Sequence, residues 1–462
     1  MKEIVDINEL KHYNHIHMVG IGGISMSGIA EILKNWGFTV TGYDATGSDI
    51  TEKLISHGIN VTLEHDLKYV HTADLVVYTA AIKQDDPELV EARNMNIPCI
   101  ERKDFLGIIT KSYINTIGIS GTHGKTTTTS MVSLCFIEAG LDPTIQVGAI
   151  LKQLDGNYRV GNSNNLIIES CEYAESFLKF HLKSAIILNI DNDHLDYFKT
   201  FDNIKAAFVK YVERLPANGF LVLNADDTSC LELINHTKAK CITYALENEN
   251  SDYIAKNISF NNDGFGTFDV YKKNELYGTI SLSVPGMHNV SNALSCIALC
   301  DTYNISYDAI QKALKNFTGA NRRLEYVGKC NGASVYDDYG HHPTEIDVTA
   351  NAMNQKKFNE SWVVFQPHTY SRTVNHLDDF AKALVKFDNI IITDIYAARE
   401  SNNYGVSSED LVNKIKEYGK DAIYISGFED IANYIRSNVK ENDVVLTLGA
   451  GTVVQVGKML VK

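Results

Sequence analysis

The sequence predicts an α/β protein of three domains: a Rossmann-like N-terminal domain, a central domain built around a phosphate-binding loop, and a Rossmann-like C-terminal domain. Apolar strand patterns alternate with helical patterns along the whole chain, as in parallel α/β folds. Glycine-rich turns follow two of these strands, near residues 20–28 and 121–125. A length of 462 residues suits about three separate cores. We place the domains at residues 1–109, 110–320 and 321–462.

The charge balance argues against a nucleic-acid partner. The chain has 42 basic and 57 acidic residues and a formal net charge of −15, so an anionic ligand must be held by local features. The N-terminus lacks the basic and apolar segments of a signal peptide, and apolar runs such as residues 185–188 are far too short to span a bilayer. We therefore expect a cytoplasmic protein without nucleic-acid binding or membrane insertion.

The eight cysteines are scattered, with no C-x-x-C pair. This spacing indicates neither a disulfide framework nor a zinc ribbon. Cys296 and Cys300 lie four residues apart on an apolar helical pattern, so we interpret them as buried core thiols rather than ligands.

The N-terminal segment begins like a dinucleotide-binding fold. A short strand at residues 15–20 runs into the glycine-rich turn 20–28, and a helix is predicted from Ile29 to Trp36. A second strand at residues 39–43 ends at Asp44. Glycines at such a turn suit a phosphate, and an acid about 20 residues on suits a ribose hydroxyl. Ser25 stands at the third glycine position, so a tight structural turn remains the alternative.

The central segment carries the strongest motif, Gly121-Thr122-His123-Gly124-Lys125-Thr126. An apolar strand at residues 116–120 precedes it, and a helical pattern at residues 130–137 follows. Glycine amides and the helix N-terminus would bind phosphate oxygens, Lys125 would reach the terminal phosphates, and Thr126 would bind Mg²⁺. The strict motif has glycine where this chain has Ile119, with Gly118 one place early. A purely structural turn is the alternative.

Polar residues follow two further predicted strands of the central segment. The strand at residues 165–168 delivers Glu169, and the strand at residues 185–190 delivers a polar run that includes His194. Carboxylates and an imidazole beside a phosphate loop suit Mg²⁺, although solvated loop polarity is equally compatible. Further on, residues 286–293 open an alanine-rich helix, which His288 or Asn289 could simply cap.

The C-terminal segment repeats the α/β rhythm. Strands are predicted near residues 335–338, 362–365, 390–393 and 444–448. Two polar clusters, at residues 337–345 and 366–372, follow the first two. Histidines and aspartates at successive strand ends predict a wall of an active site, with ordinary surface loops as the alternative.

Together these residues resemble the Mur ligases, and the order and spacing of the motifs cover the whole chain. The motifs are Gly20-Ile-Gly-Gly-Ile-Ser-Met-Ser-Gly28, Gly121–Thr126, Asp193-His-Leu-Asp196, His288-Asn-Val-Ser-Asn292, Arg322-Arg-Leu-Glu325, Asp337-Asp-Tyr-Gly-His-His-Pro-Thr-Glu345 and Phe365-Gln-Pro-His-Thr-Tyr-Ser-Arg372.

The resemblance implies an ATP-driven amide synthesis with Mg²⁺ and a central P-loop ATPase domain. A substrate carboxylate attacks the γ-phosphate to give an acyl phosphate, and an amine then displaces phosphate. The glycine-rich opening and the Asp337–Glu345 motif look most like the members that join L-alanine to UDP-N-acetylmuramate. The implied partners are therefore UDP-N-acetylmuramate, L-alanine and ATP, for a monomer or homodimer.

The resemblance also implies site residues. The catalytic residues would be Lys125, His194, His341 and Arg372. ATP would be bound by Gly121, Thr122, His123, Gly124, Lys125, Thr126 and Thr127, with Asn289 and Asn292 at the adenine and Arg323 at the phosphates or ribose. The UDP-sugar would be bound by Gly22, Gly23, Ser25, Met26, Ser27, Asp44 and His65. The metal ligands would be Thr126, Glu169 and His194. The alanine end would be lined by Asp338, Tyr339, His341 and Arg372.

We favour His341, beside Asp338, as the proton acceptor for the L-alanine ammonium, because it directly follows Gly340; His342 stays open as the alternative. Two departures from the family limit this transfer of roles. Ser25 replaces a glycine, and Thr369 stands where many members have arginine.

Three rival functions remain at this level. A murein-peptide recycling ligase of the same family would join an intact tripeptide to the same nucleotide sugar. An NAD-dependent oxidoreductase would use the first glycine loop but leaves the Lys125 loop unexplained. A regulatory nucleotide-binding module without catalysis leaves the C-terminal polar cluster unexplained.

Overall fold

The computed structural model describes residues 7–398 and 400–461. The chain forms two compact units: residues up to Ile254 with Leu294–Ala313, and Ala255–Ala293 with the residues from Leu314 onward. The chain passes between the units within one strand and two helices, so each unit is built from two segments of sequence.

The N-terminal sheet of the first unit has five parallel strands in the order β3-β2-β1-β4-β5. The strands are β1 (His15–Val19), β2 (Thr39–Tyr43), β3 (Asn60–Thr62), β4 (Leu75–Tyr78) and β5 (Cys99–Glu101). The helices are α1 (Ile7–Leu10), α2 (Ile24–Asn35), α3 (Asp49–Ser56), α4 (Leu67–His71), α5 (Pro87–Asn94) and α6 (Arg102–Lys111). From β1 the chain continues to β2 and β3 on one side of β1, and then crosses to β4 and β5 on the other side. The strand order therefore reverses between β1 and β4, and parallel sheets bind ligands at such a switch point.

Helix α2 begins at Ile24, five residues before the predicted start. Gly23 caps it in an extended conformation, and Met26, Ile29 and Leu33 point into the core. Gly28 was assigned to the turn but lies inside the helix, where a Cβ would come 3.3 Å from Tyr158. The glycine therefore serves close packing, and residues 25–27 lie in the first turn of α2.

The central sheet of the first unit has the order β12-β11-β10-β6-β9-β7-β8, with β13 beginning beside β12. The pairs β10–β11, β6–β10, β11–β12, β6–β9 and β7–β9 are parallel, and β7 pairs antiparallel with β8. The strands are β6 (Asn115–Ser120), β7 (Thr144–Leu151), β8 (Gly156–Arg159), β9 (Asn165–Glu169), β10 (Ser184–Ile187), β11 (Phe220–Asn224), β12 (Lys240–Ala245) and β13 (Tyr253–Phe260). The helices are α7 (Lys125–Glu138), α8 (Leu195–Phe198), α9 (Phe201–Glu213), α10 (Thr228–Glu232), α11 (Met287–Thr302) and α12 (Tyr307–Asn316), with 3₁₀ turns at Lys152–Leu154, Tyr173–Lys179 and Leu233–His236.

Two predicted boundaries in this sheet were wrong. Helix α7 starts at Lys125 rather than at residue 130, since Gly124 adopts the left-handed conformation that lets the helix begin there. Strand β10 ends at Ile187 instead of Ile190. Asn189 leaves the ladder because it bonds the phosphate loop, as described below.

The second unit contains the rest of β13, the antiparallel pair β14 (Phe265–Lys272) and β15 (Glu275–Pro285), and a six-stranded sheet of order β16-β17-β21-β18-β19-β20. The strands of that sheet are β16 (Glu325–Cys330), β17 (Ala333–Asp338), β18 (Ser361–Phe365), β19 (Asn389–Ile392), β20 (Ala422–Tyr424) and β21 (Val444–Leu448). The helices are α13 (Pro343–Asn354), α14 (Tyr370–Asn375), α15 (Leu377–Leu384), α16 (Ser408–Glu417), α17 (Phe428–Asn438) and α18 (Val454–Leu460). In the six-stranded sheet, β16 pairs antiparallel with β17, and the other pairs described are parallel.

The C-terminal sheet is buried on both faces, which explains its continuous apolar strands. In β18, Val363 and Phe365 belong to one core, while Trp362 and Val364 belong to the core on the opposite face.

The predicted three-domain α/β fold is confirmed. Each predicted domain contains one of the three sheets. Within the described residues, no helix has the length and apolar character needed to cross a bilayer.

Candidate active site

The phosphate loop connects β6 to α7 and is held in place by the end of β10. Gly121 and Gly124 have φ angles of +131° and +85°, which favour glycine. The amides of Thr122 and His123 donate to the carbonyl and side-chain oxygens of Asn189, at 3.1 and 2.7 Å. Because these two amides are already hydrogen-bonded to Asn189, an anion at the loop would be bound by the amides in the first turn of α7.

Lys125 lies at the N-terminus of α7 in a buried ion pair with Glu172. Its Nζ donates to the carbonyl oxygens of Gly121 and Thr122, at 2.5 and 3.0 Å, and lies 3.1 and 3.0 Å from the two carboxylate oxygens of Glu172. The Glu172 side chain is 2% exposed. Burial alone would lower the pKa of Lys125, but the Glu172 carboxylate outweighs it and keeps the pKa above its ordinary value. Lys125 is therefore charged at neutral pH.

Glu169 ends β9, beside the strand that leads into the phosphate loop. Its backbone is in register with Ile119 of β6, and its carboxylate accepts a 2.8 Å hydrogen bond from the Gly148 amide. A Cβ at position 148 would come within 2.6 Å of that carboxylate, so the glycine permits the close approach. Thr126 is buried in the first turn of α7. The structure thus brings Glu169 and the loop to adjacent strand ends, as predicted.

His194 lies next to the Lys125–Glu172 pair. Its Nε2 is 3.9 Å from Glu172 Oε1 and 3.8 Å from Asp193 Oδ2, and its ring packs on Tyr173 with centroids 4.8 Å apart. Its φ of +56° is unusual for histidine. Backbone strain of this kind is common at functional positions.

The glycine-rich turn before α2 is tied to Asp44. The Asp44 carboxylate accepts hydrogen bonds from the amides of Gly22 and Thr46, at 2.9 and 3.2 Å, so it shapes the turn. His65 packs against Tyr43, with ring centroids 4.0 Å apart and ring planes tilted by 33°. These residues meet at the carboxyl end of the N-terminal sheet.

The three predicted UDP-sugar residues of the first turn of α2 differ in how they can contribute. Met26 is 1% exposed and packs in the core, so only its backbone could meet a ligand. The Ser27 hydroxyl donates to the carbonyl of Ile24, at 3.1 Å. The Ser25 hydroxyl accepts hydrogen bonds from Arg102 and Gln146, at 3.1 and 2.8 Å. The serine that replaces glycine therefore links α2 to α6 and β7.

In the second unit, three neighbouring strands deliver polar loops to one edge. Strands β17, β21 and β18 lie side by side and parallel, so their carboxyl ends meet. Arg322 fastens two of these ends together: its guanidinium donates to the Asp337 carboxylate at 2.9 Å and to the carbonyls of Gly449 and Gly451 at 2.5 and 3.3 Å. One half-buried guanidinium thus sets the spacing between these strand ends.

Asp338 is a buried carboxylate that shapes the loop after β17. Its oxygens accept hydrogen bonds from the amides of Gly340 and Leu324, both at 2.7 Å. Burial raises the pKa of Asp338 to about 6, despite the opposing effect of Arg323. Arg322 and Arg323 both lie over the Tyr339 ring, at 5.0 and 5.4 Å.

His341 rather than His342 joins the polar cluster of the second unit. Its ring lies 5.4 Å from Tyr339 and 5.5 Å from His368. The carboxylate nearest its Nδ1 is Glu345, at 3.3 Å, whereas the prediction placed it beside Asp338. Glu345 occupies this position because it lies in the first turn of α13 and reaches back to the loop before the helix, where its carboxylate accepts hydrogen bonds from the amides of His341 and His342 at 3.0 and 3.2 Å. His342 is 4% exposed and caps α13 with its ring.

Arg372 lies on α14 beside His368, with Nη1 3.2 Å from the histidine Nδ1. Thr369, at the position where many relatives of the family have arginine, caps α14: its hydroxyl accepts from the Arg372 amide at 3.4 Å. Its φ of +66° is strained for threonine. The threonine therefore sets the start of the helix that carries Arg372.

The two asparagines that the resemblance assigns to adenine lie at the start of α11. Asn289 donates to the carbonyl of Pro285 at 2.7 Å, and Asn292 donates to Asn289 at 3.2 Å. Both are 7% exposed. Burial, followed by the charge of Arg323, lowers the pKa of His288 to about 4, so His288 is neutral at pH 7.

Sequence reasoning missed three residues of these clusters. Glu172 lies three residues beyond Glu169, but the irregular 3₁₀ turn that follows gave no pattern to place it. Glu345 and Arg322 were within quoted motifs, and the i,i+4 spacing from His341 could have identified Glu345. Arg322 could not be found, because its partners at residues 449 and 451 lie far along the chain.

Comparisons with known proteins agree along the whole chain. Residues 15–114 match the model of the Mur ligase family catalytic domain, residues 119–300 the Mur ligase middle domain, and residues 322–451 the Mur ligase glutamate ligase domain. The UDP-N-acetylmuramate–L-alanine ligase of Acetivibrio thermocellus is 48% identical over 459 residues, covering 99% of this chain and 97% of the relative. The enzyme of the same name from Clostridium acetobutylicum is 47% identical over 444 residues, covering 96% of each.

Two solved structures show the same fold. The UDP-N-acetylmuramate–alanine ligase MurC of Thermotoga maritima has a TM-score of 0.83 at 30% identity and covers 97% of this chain and 98% of that one. A murein peptide ligase of Psychrobacter arcticus has a TM-score of 0.70 at 24% identity, with the same coverage. The second likeness supports the fold alone.

The raised pKa of Asp338 predicts a pH-dependent loss of stability. Because the folded protein holds this proton more tightly than the unfolded chain, with a usual pKa of about 3.9, wild type should lose stability relative to Asp338→Asn between about pH 4 and pH 6. The total difference should be up to about 3 kcal/mol. Urea unfolding followed by Trp362 fluorescence, in a Trp36→Phe background, measures it.

Asp388→Asn is the matched control in the same unit. Burial opposes ionisation of Asp388, but hydrogen bonds from Ser361 outweigh it and lower the pKa, so wild type should gain stability relative to this variant as the pH rises. If the stability difference between wild type and variant changed with pH in the same direction for both aspartates, the raised pKa of Asp338 would be contradicted.

Proposed function

The chain belongs to the Mur ligase family, and we infer that it joins L-alanine to the carboxylate of UDP-N-acetylmuramate, with ATP converted to ADP and phosphate, in peptidoglycan precursor synthesis. The observation that carries this inference is the 48% identity to an enzyme of that activity over 99% of the chain. The Lys125 loop and the polar edge of the C-terminal sheet supply the chemistry it requires.

We propose that Lys125 stabilises the charge of the transferred phosphoryl group. A carboxylate anion must approach the polyanionic end of ATP, so charge there must be neutralised first. Lys125 is charged and lies at the N-terminus of a 14-residue helix. The remaining loop residues, Gly121 to Thr127, would bind the phosphates. Asn289, Asn292 and Arg323 are assigned to the adenine and ribose side.

A magnesium ion fits the donors around the loop. Thr126 and Glu169 provide oxygen ligands at adjacent strand ends, and His194 provides a nitrogen. When bound, Mg²⁺ would neutralise phosphate charge and orient the phosphoryl group. Because Gly148 has no side chain, its amide can approach the Glu169 carboxylate and donate a hydrogen bond to it. This bond fixes the orientation of the carboxylate at the end of β9.

The reaction proceeds in two steps. The carboxylate of UDP-N-acetylmuramate attacks the γ-phosphorus of ATP, ADP leaves, and an acyl phosphate forms. The L-alanine amine then attacks the acyl carbon, and phosphate leaves from the tetrahedral intermediate. The turn of residues 22–27 would hold the pyrophosphate of the UDP-sugar through the start of α2, with Asp44 and His65 at the ribose and uracil.

The alanine end is assigned to the edge formed by β17 and β18. Arg372 suits the alanine carboxylate because its planar fork can donate two parallel hydrogen bonds. His341 is the proposed acceptor of the ammonium proton, and Glu345 at 3.3 Å would stabilise the resulting imidazolium. Asp338 and Tyr339 position the loop that carries His341.

The rival functions are not favoured. The recycling ligase is represented by structures that are 24% and 28% identical to this chain, well below the 48% identity to a UDP-N-acetylmuramate–L-alanine ligase, and an oxidoreductase leaves the Lys125 loop without a role. A cytoplasmic location is proposed because ATP and nucleotide sugars are its substrates.

Phosphate release from ATP tests the function. With UDP-N-acetylmuramate present, L-alanine should give the largest kcat/KM, glycine and L-serine should be slower, and a tripeptide should not react. The margin over glycine should be about 10- to 200-fold, because one methyl group is worth about 1–3 kcal/mol. A preference for the tripeptide would establish the recycling ligase instead, and no ATP turnover would exclude both.

Replacing Arg372 by lysine tests the alanine anchor. A lysine cannot donate two parallel bonds, so the KM for L-alanine should rise by about 10- to 100-fold, the equivalent of one charged hydrogen bond, while the KM for ATP changes less than about twofold. Arg436→Lys, at an exposed arginine of α17, is the matched control and should leave both constants unchanged. An unchanged alanine KM in Arg372→Lys would refute the anchor.

A further inference from the structure

Three cysteines meet in the interior of the first unit. Cys135 lies on α7, and Cys296 and Cys300 lie on α11. The sulfur atoms of Cys135 and Cys296 are 3.7 Å apart, and those of Cys296 and Cys300 are 3.8 Å apart. All three residues are fully buried and none forms a disulfide. The expectation of core thiols at 296 and 300 is confirmed, and Cys135 completes a triad.

The spacing of the sulfurs suits one central atom bound to all three. The three sulfur atoms lie within 4.8 Å of one another. Two sulfurs bound to a common atom at about 2.3 Å, the length of a zinc–sulfur bond, lie about 3.4–4.0 Å apart for bond angles of about 95–120°. The Cys135–Cys296 and Cys296–Cys300 distances lie within this interval, so the helices would need little movement to hold such an atom.

Charge decides which class of ion fits. The triad is embedded among apolar residues that are themselves fully buried, namely Val132, Phe136, Ile297 and Leu299. Three thiolates around a divalent ion would leave a net negative charge in this core, which is costly. Three thiolates around a trivalent centre leave no net charge. Sulfur ligands in turn select soft, thiophilic elements.

We propose that Cys135, Cys296 and Cys300 form a binding site for a trivalent thiophilic metalloid, for which arsenous acid is the probe. Three thiols and one As(OH)₃ give As(SR)₃ and three waters. Three arsenic–sulfur bonds replace three arsenic–oxygen bonds, each thiol proton leaves on a hydroxide as water, and no atom changes oxidation state.

The protonation of the thiols agrees with this choice of ligand. Hydrogen bonds from Cys296 and Cys300 lower the pKa of Cys135 to about 5. Burial raises the pKa of Cys296 and Cys300 well above the ordinary value, so these two thiols keep their protons at neutral pH. A bare cation would need a base to remove them, whereas arsenous acid brings its own hydroxides. Arsenous acid is also uncharged, so its entry into the apolar interior avoids the cost of burying a charge.

The bound metalloid would cross-link two helices of the nucleotide-binding domain. Helix α7 begins at Lys125. The segment of α11 and α12 already contacts α7 at two points: the ring of Tyr303, directly after α11, lies 5.4 Å from the ring of Phe136, and Lys312 of α12 forms an ion pair with Glu138 at 2.6 Å. A ligand that binds the folded state alone stabilises it. We therefore expect arsenite to raise the melting temperature.

Intact-protein mass spectrometry of the full chain with sodium arsenite tests the site. Wild type should gain one arsenic atom and lose three hydrogens. Cys135→Ala should gain none. Cys230→Ala, which removes another fully buried cysteine of the same unit, should bind like wild type. Circular dichroism establishes that each variant is folded.

Wild type alone provides a second readout. Arsenite should slow alkylation of residues 135, 296 and 300 by N-ethylmaleimide, as mapped on peptides, and leave the exposed Cys171 reactive. The proposal is overturned if arsenic does not bind, if it still binds to Cys135→Ala, or if Cd²⁺ protects the triad at lower concentration than arsenite.

Discussion

The buried ion pair between Lys125 and Glu172 constrains the phosphate loop, which is the proposed nucleotide site. The lysine ammonium has three protons, and its described partners are two carbonyls of its own loop and one carboxylate. A phosphate can reach Lys125 only by replacing one of these partners. Since Glu172 is buried and negatively charged, it both competes with the phosphate and repels it. The pair therefore keeps the lysine charged and oriented, and in the proposed function it would oppose nucleotide binding until a phosphate replaces one of these partners.

Parallel sheets supply the frame for that pair and for the second cluster. In the first unit, β6, β9 and β10 bring the loop, Glu169 and the His194 segment to one edge. In the second unit, the same geometry gathers His341, His368 and Arg372, with Arg322 fixing the distance between strand ends. Each site thus follows from strand order, and side chains that are distant in sequence meet because their strands are neighbours.

Much of this was accessible from sequence, and the rest depended on tertiary contacts. Apolar periodicity predicted the strands, and glycine spacing predicted both loops. Glycine spacing also misplaced the start of α2, because Gly28 was assigned to a turn, whereas it lies within the helix and allows close packing against Tyr158. Glu172 could not be placed because Ala174 and Glu175 have left-handed backbones that no propensity predicts. Cys135 is 161 residues from Cys296, so only the fold reveals the triad.

The affinity for ADP without metal tests the central claim that Lys125 is shared between Glu172 and phosphate. Calorimetry in EDTA should show Glu172→Gln binding ADP about tenfold more tightly than wild type, a gain of about 1.4 kcal/mol, because the competing charge is gone. Glu175→Gln, which alters a glutamate paired with Lys210, is the control and should bind like wild type. Unchanged or weaker binding by Glu172→Gln would contradict the account.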